Sequence, residues 1–146
     1  HDQEAGMVSC TWYAHQTGWS RIEQPMPVTL GDGPADVYFH FDLKLGGEPR
    51  LFRIMASSEL SHWSGIYPAY VLRYGQPSTL TSPVQNKLGA TFEQTTAVWA
   101  NGVSNIVIMS RCPRIDLMCI TYSHKVLSDE YDAKYRLFSA AAADRL

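Results

Sequence analysis

The sequence predicts a mainly β, single-domain antiparallel sheet, meander- or sandwich-like, with a C-terminal helix. Three observations carry that reading. Val37, Phe39, Phe41, Leu43 and Leu45 alternate with Tyr38, His40, Asp42 and Lys44, the period of two expected of a half-buried strand. Asn101-Gly102 lies between two apolar runs, a strong short hairpin signal because type I′ turns want φ > 0 at both central positions. Ser128-Asp129-Glu130 reads as a helix start, with a Ser N-cap and acidic residues where the macrodipole favours them.

Taken in order, Met7 to His15 alternates, with Val8, Cys10, Trp12 and Ala14 on one face. Gln16-Thr17-Gly18 is a turn, and Trp19 to Glu23 is a short return strand. Pro25 and Pro27 interrupt pairing, and Gly31-Asp32-Gly33-Pro34 is a loop. Val37–Leu45 and Arg50–Ala56 form a hairpin about Gly46-Gly47-Glu48-Pro49, with the odd-numbered face of the first strand buried. Glu59 to Tyr74 is rich in rings (Trp63, Tyr67, Tyr70, Tyr74), and Gly65 and Pro68 argue against one continuous helix. Gln76 to Asn86 holds two prolines and several Ser and Thr residues, and reads as a surface loop. Strands resume at Ala90–Trp99, Val103–Arg111 and Leu117–Ser123. The alanines at 140–143 supply helix propensity toward Leu146. No repeat or linker divides residues 1–146.

Composition removes several function classes. Twelve basic and fourteen acidic side chains give a net charge of −2 and a pI near 6.2, without the basic excess expected of a nucleic-acid binder. The longest uncharged stretch, Gln94–Ser110, contains Asn101, Ser104 and Asn105 among other polar residues, so it is no membrane span. The opening His1-Asp2-Gln3-Glu4 has no initiator Met and no apolar targeting run. It reads as a trimmed start, or as what remains after signal cleavage or after the lipidated Cys of a bacterial lipoprotein.

Chemistry-bearing patterns are sparse. The five histidines form no HxH, HxxxH or HExxH spacing, so no metal site is read and no cofactor is expected. His40 reads as a solvated strand histidine. No GxSxG is present, and no Ser, His and Asp set stands out by position, so no catalytic residue is assigned. Asp32 and Asp36 lack the spaced run of oxygen ligands of a Ca²⁺ loop, and no GxGxxG cradles a phosphate. Cys112 and Cys119 bracket a turn centred on Pro113 and are expected to face each other as a disulfide. The competing reading is two buried free thiols. Cys10 is expected in the core of the first strand.

The remaining signal is aromatic. Trp63 and Tyr67, with Glu59 and His62 at the rim, are the candidate partner-binding residues, because Trp and Tyr are enriched at the centres of interfaces. Trp99 and Asn101 at the following hairpin are further candidates. Core filler is the competing reading for all these rings.

A processed start, a small β-rich domain with few cysteines and no catalytic motif resemble the periplasmic immunity proteins of bacterial type VI secretion. His1-Asp2-Gln3-Glu4 running into Val8-Ser9-Cys10-Thr11-Trp12 resembles the mature start of the immunity partner of a muramidase-type effector. The resemblance implies a periplasmic, non-enzymatic inhibitor, soluble or lipid-anchored, whose loops enter the substrate groove of a peptidoglycan hydrolase. The alternatives are a small secreted enzyme or ligand-binding envelope protein, and a structural lipoprotein.

Overall fold

The computed structural model describes residues 7–10, 13–14, 24–25, 28–31, 33–42, 48–112 and 114–143. The expected return strand at 19–23, the expected strand end at Leu43–Leu45, Gly46 and Gly47 of the following turn, and Pro113 lie outside the described residues, as does the side chain of Cys10.

The architecture is mainly β, with a helix at the C-terminal end. One eight-stranded antiparallel sheet runs in the order β1-β5-β6-β10-β9-β8-β7, with β4 also paired to β5. Its strands are β1 (Met7–Cys10), β4 (Val28–Leu30), β5 (Gly33–Asp42), β6 (Arg50–Glu59), β7 (Ser78–Gln85), β8 (Thr91–Ala100), β9 (Ser104–Met109) and β10 (Leu117–His124). A separate two-residue pairing joins β2 (Tyr13–Ala14) to β3 (Gln24–Pro25). A 3₁₀ turn (Leu60–His62) leads into α1 (Trp63–Tyr74), and α2 spans Lys125–Ala143.

The strand latest in sequence, β10, lies between β6 and β9, so the middle of the sheet is closed by long-range pairing. The core follows that geometry. Ala56, Ala97, Trp99, Ile108, Met118 and Ile120 of the sheet meet Ile66 of α1, and the half-buried Trp63, Tyr67, Tyr70 and Val71 pack against them. The β5–β6 hairpin forms, with Val37 opposite Ala56, but Val37, Phe39 and Phe41 of its expected buried face are half-buried.

Several expectations are corrected. Residues 63–74 form one helix despite Gly65 and Pro68. Pro68 and Ser64, whose carbonyl the proline leaves without its helical donor, are both exposed, so the break falls on the solvent side while the rings on the opposite side pack. Residues 78–85 form a strand, not a loop; it is an edge strand, where proline is tolerated.

The face of β5 carrying Asp42 is not solvated at its end. The register shifts between His40 and Phe41, so Phe52 of β6 has no opposite residue. Phe52 and Arg53 thus both reach α2, and Asp42 is 1% exposed beneath it. α2 begins at Lys125, earlier than Ser128. His124 Nδ1 accepts the Leu127 N–H at 3.4 Å, while Ser128 is buried and its Oγ accepts from Arg53.

The turn after β8 is not type I′, since only Gly102 has positive φ (82°). Asn101 Oδ1 instead accepts the N–H groups of Val103 and Ser104 at 3.1 and 2.8 Å, fixing a wider loop between the paired Ala100 and Asn105.

Cys112 and Cys119 are free thiols in the structure, not the expected disulfide. The turn folds tightly, with Cys112 N–H donating to Leu117 O at 2.9 Å. This sets the Cys112 carbonyl oxygen against Cys119 Sγ. Burial first, and then the neighbouring Cys112, push the Cys119 thiol well above its ordinary range.

Candidate functional site

Four rings of the helical segment recur at 63, 67, 70 and 74, the spacing of one helix face. That face meets Trp99 on β8. Trp63 and Tyr67 stack with centroids 4.9 Å apart and planes within 6°. Tyr67, Tyr70 and Tyr74 approach Trp99 at 6.4, 6.1 and 6.5 Å in tilted geometries. Trp99 is buried and its indole N–H donates to Gly75 O at 2.7 Å. The indole thus fixes the residue that ends α1, at φ 80° where glycine fits without strain.

Because α1 stops there, the sheet continues uncovered beyond it. The result is a cleft of about 850 Å³. Its apolar side is made by Ile54, Trp99, Ile106 and Tyr122, with Tyr74 at the helix end. Gln76, Ser78, Asn101, Ser104 and Asn105 supply amides and hydroxyls around it. No carboxylate lines it among the described residues. Of the two basic residues on its wall, Arg53 and His124, Arg53 is engaged by Ser128 Oγ and Asp132 Oδ1, each at 3.4 Å.

Tyr70 and Tyr122 join helix to sheet through a hydroxyl–hydroxyl hydrogen bond. Burial is the largest influence on both phenols and raises both, well above the usual tyrosine range for Tyr122. They hold their protons at neutral pH and act as hydrogen-bonding groups.

The expected binding residues divide between the two ends of α1. Trp99 and Asn101 lie on the cleft, and Tyr67 touches Trp99 from the helix. Trp63 adds to the same stack but packs on the core. Glu59 and His62 stand at the opposite end of a helix about 18 Å long, away from the cleft. Glu59 is exposed and accepts from Ser61 Oγ at 3.3 Å.

His62 is locked in place. Ser58 Oγ donates to Pro34 O at 2.8 Å and lies 2.9 Å from His62 Nδ1. With the hydroxyl proton given to Pro34, the imidazole must donate from Nδ1, the tautomer its hydrogen bonds require. The ring covers Gly33, where an added Cβ would lie 2.0 Å from His62 Cε1. Ser58 is 4% exposed. This Ser–His pair therefore clamps β5 to the start of α1, with no free hydroxyl for nucleophilic attack.

Ile54, Ile106, Tyr122, Gln76 and Asn105 had no distinguishing signal in the sequence. They read as ordinary strand or loop residues, and become a site only because the helix covering their neighbours ends at Gly75. No group of three or more potential metal ligands occurs among the described residues. No protein-family model, curated protein or solved structure matches the chain.

Proposed function

We propose that this chain is a recognition protein: a periplasmic immunity protein that binds and blocks a secreted peptidoglycan hydrolase. The observation that supports recognition is the composition of the cleft, an aromatic and aliphatic centre bordered by neutral amides and hydroxyls. That is the apolar-centre, polar-rim anatomy of protein interfaces, with aromatic anchors of the kind that dominate binding energy. Leu51 and Tyr74 are 41% and 42% exposed on the cleft, and Val103 is 61% exposed on the adjoining turn. The cleft receives a partner loop, and the Asn101–Val103 turn enters the partner's groove in return. The turn is rigid enough for that task because Asn101 bonds two of its N–H groups internally. The choice of a cell-wall hydrolase as partner rests on the resemblance of the N-terminal sequence.

A second reading, a small-ligand binder of the envelope, draws on the cleft volume, which lies within the range of ligand pockets.

The test is affinity capture from a native periplasmic extract, followed by a peptidoglycan hydrolysis assay on the captured protein. Stoichiometric inhibition of a hydrolase is the expected outcome. Val103→Asp and Gln76→Arg, both at exposed positions, should weaken that complex at least about tenfold, ~1.4 kcal/mol, at unchanged melting temperature. Full inhibition by both variants would remove the cleft from the interface. Failure of any hydrolase to be captured or inhibited would remove the immunity reading.

A further inference from the structure

The edge strand β7 carries a sequence feature that the core does not use and of which the cleft takes only Ser78. Residues 77–83 read Pro-Ser-Thr-Leu-Thr-Ser-Pro, a palindrome centred on Leu80. β7 pairs with β8 on one side and, among the described residues, with no strand on the other. An open edge is ordinarily protected by charged side chains or proline; no formal charge occurs from Gln76 to Asn86, and the prolines stand only at the two ends of the palindrome. Every side chain of the palindrome's strand portion is exposed except the half-exposed Ser82, and Leu80 is 67% exposed.

The hydrogen-bond phase of the strand sharpens this. Backbone groups of alternate residues on an antiparallel strand point to opposite sides. Thr95 O accepts Ser110 N–H at 2.9 Å on the β9 side, so Thr96 faces β7, and its partner Leu80 faces back toward β8. The backbone N–H and C=O groups of Thr79 and Thr81 therefore point off the sheet. Pro77 and Pro83 share that phase and present no N–H.

We propose that β7 is a self-pairing edge through which two copies of this chain join as a two-fold symmetric dimer. Antiparallel pairing about Leu80 sets Thr79 opposite Thr81 of the second copy, and each such pair exchanges both of its backbone hydrogen bonds. Leu80 meets its own counterpart in the non-hydrogen-bonded site between them, where side chains approach most closely. Ser78 falls opposite Ser82, so no like charges confront each other. Pro77 falls opposite Pro83, and the missing donors end the ladder there. A two-fold interface needs a self-complementary surface, and a palindromic edge supplies one residue by residue. The two-fold axis stands perpendicular to the joined sheet, so both clefts open on the same face and a dimer presents them together.

One strand pair is small against the 1,200–2,000 Å² of a standard stable interface. The association is accordingly expected to be concentration-dependent. The test is sedimentation equilibrium of the full chain over a concentration series. Wild type should follow a monomer–dimer equilibrium. Thr81→Pro removes an outward N–H while leaving the β7–β8 bonds intact, and Leu80→Lys places two cations face to face. Each should raise the dimer dissociation constant at least tenfold, with circular dichroism unchanged. If Thr81→Pro fails to fold, Leu80→Lys, at a mostly exposed position, decides alone. A dimer that persists undiminished in the folded variants overturns the proposal. So does a wild-type chain that is monomeric at every concentration, which would leave the edge to an extended segment of a different protein.

Discussion

The two helices lie against one sheet but differ in how much charge holds them. α1 contains a single charged residue, Arg73, and docks through rings: Trp63, Tyr67, Tyr70 and Tyr74 around Trp99. Among the described residues, α2 stacks Tyr131 on Phe52 at 4.8 Å with Leu127 packed beside them, and adds to this small apolar contact a set of charged ones. Lys134 Nζ and Arg50 converge on the buried Asp42 at 2.8 and 3.1 Å. Glu130 bonds Arg50, and Asp132 bonds Arg53, each at 3.4 Å. Apolar contact neither titrates nor is screened by salt, whereas a carboxylate network both titrates and is screened. The aromatic side of the candidate cleft is built on the first kind of joint, although Phe52 and Arg53 on its wall belong to the second. The shape of that aromatic side should therefore persist under conditions that loosen the second helix.

Removing the centre of the aromatic joint should have the largest effect. Trp99→Ala deletes the ring on which three tyrosines of α1 rest and the N–H bonded to Gly75 O. A buried aromatic truncation costs about 3–5 kcal/mol, and the loss should show as cooperative destabilisation of the whole sheet in denaturant titration. A variant that keeps wild-type stability would mean that Trp99 is not the keystone of α1.

The contrast also explains what was legible in the sequence. Alternation exposed the β5–β6 hairpin, and β8 and β10 emerged nearly at their observed ends as apolar runs between turn signals. Alternation failed at Asp42. A register shift and a charged helix from far along the chain bury a face that local pattern assigns to solvent. The continuity of α1 was hidden by Pro68, whose cost inside a helix is outweighed here by the packing of the rings on the other face. β7 was hidden by Pro83, which is compatible with a strand only at an edge whose N–H side is open. Trp99 and Asn101 were legible as candidate site residues because ring and turn chemistry are local. Ile54, Ile106 and Tyr122 were not, since their role depends on where another element stops.

The charged joint yields the next effect. Asp42→Asn keeps the shape of the side chain and removes its charge, leaving Lys134 and Arg50 to regain water through their partly exposed side chains. Hydrogen bonds to charged groups contribute about 1.5–3 kcal/mol each before that recovery, so the net loss should be about 1–3 kcal/mol. Burial alone would raise the Asp42 pKa, but the hydrogen bonds from Lys134 and Arg50 and their positive charges together hold it below its ordinary 3.8. A carboxylate with a depressed folded pKa contributes stability that is present above the unfolded value and lost as pH falls through the folded one. Below about pH 4, amides of α2 should therefore lose hydrogen-exchange protection before those of α1. Asp42→Asn should reduce the acid dependence of α2 protection. Simultaneous opening of both helices in acid would contradict the division.

The smallest effect tests the aromatic joint from the alkaline side. Tyr70→Phe keeps the ring against Trp99 and deletes one hydroxyl of the Tyr70–Tyr122 hydrogen bond. The expected cost is about 1 kcal/mol, the net value of a typical hydrogen bond, with the Tyr122 hydroxyl losing its partner. Burial, the largest influence, raises the Tyr70 phenol above its ordinary 10.0. An acid whose folded pKa is raised contributes stability that is complete below the unfolded value and is lost as pH rises through the folded one. Wild type should thus lose stability above about pH 10 as the buried phenols are forced to ionise, whereas Tyr70→Phe has one fewer such group. Its alkaline loss should be shallower, although it starts from lower stability at neutral pH. Equilibrium unfolding across an alkaline series, paired with an ultraviolet phenolate titration, measures both quantities on the same samples. Identical alkaline slopes for the two proteins would show that Tyr70 ionises as freely in the fold as in water, and would break the symmetry drawn between an acid-sensitive α2 and an alkali-sensitive α1.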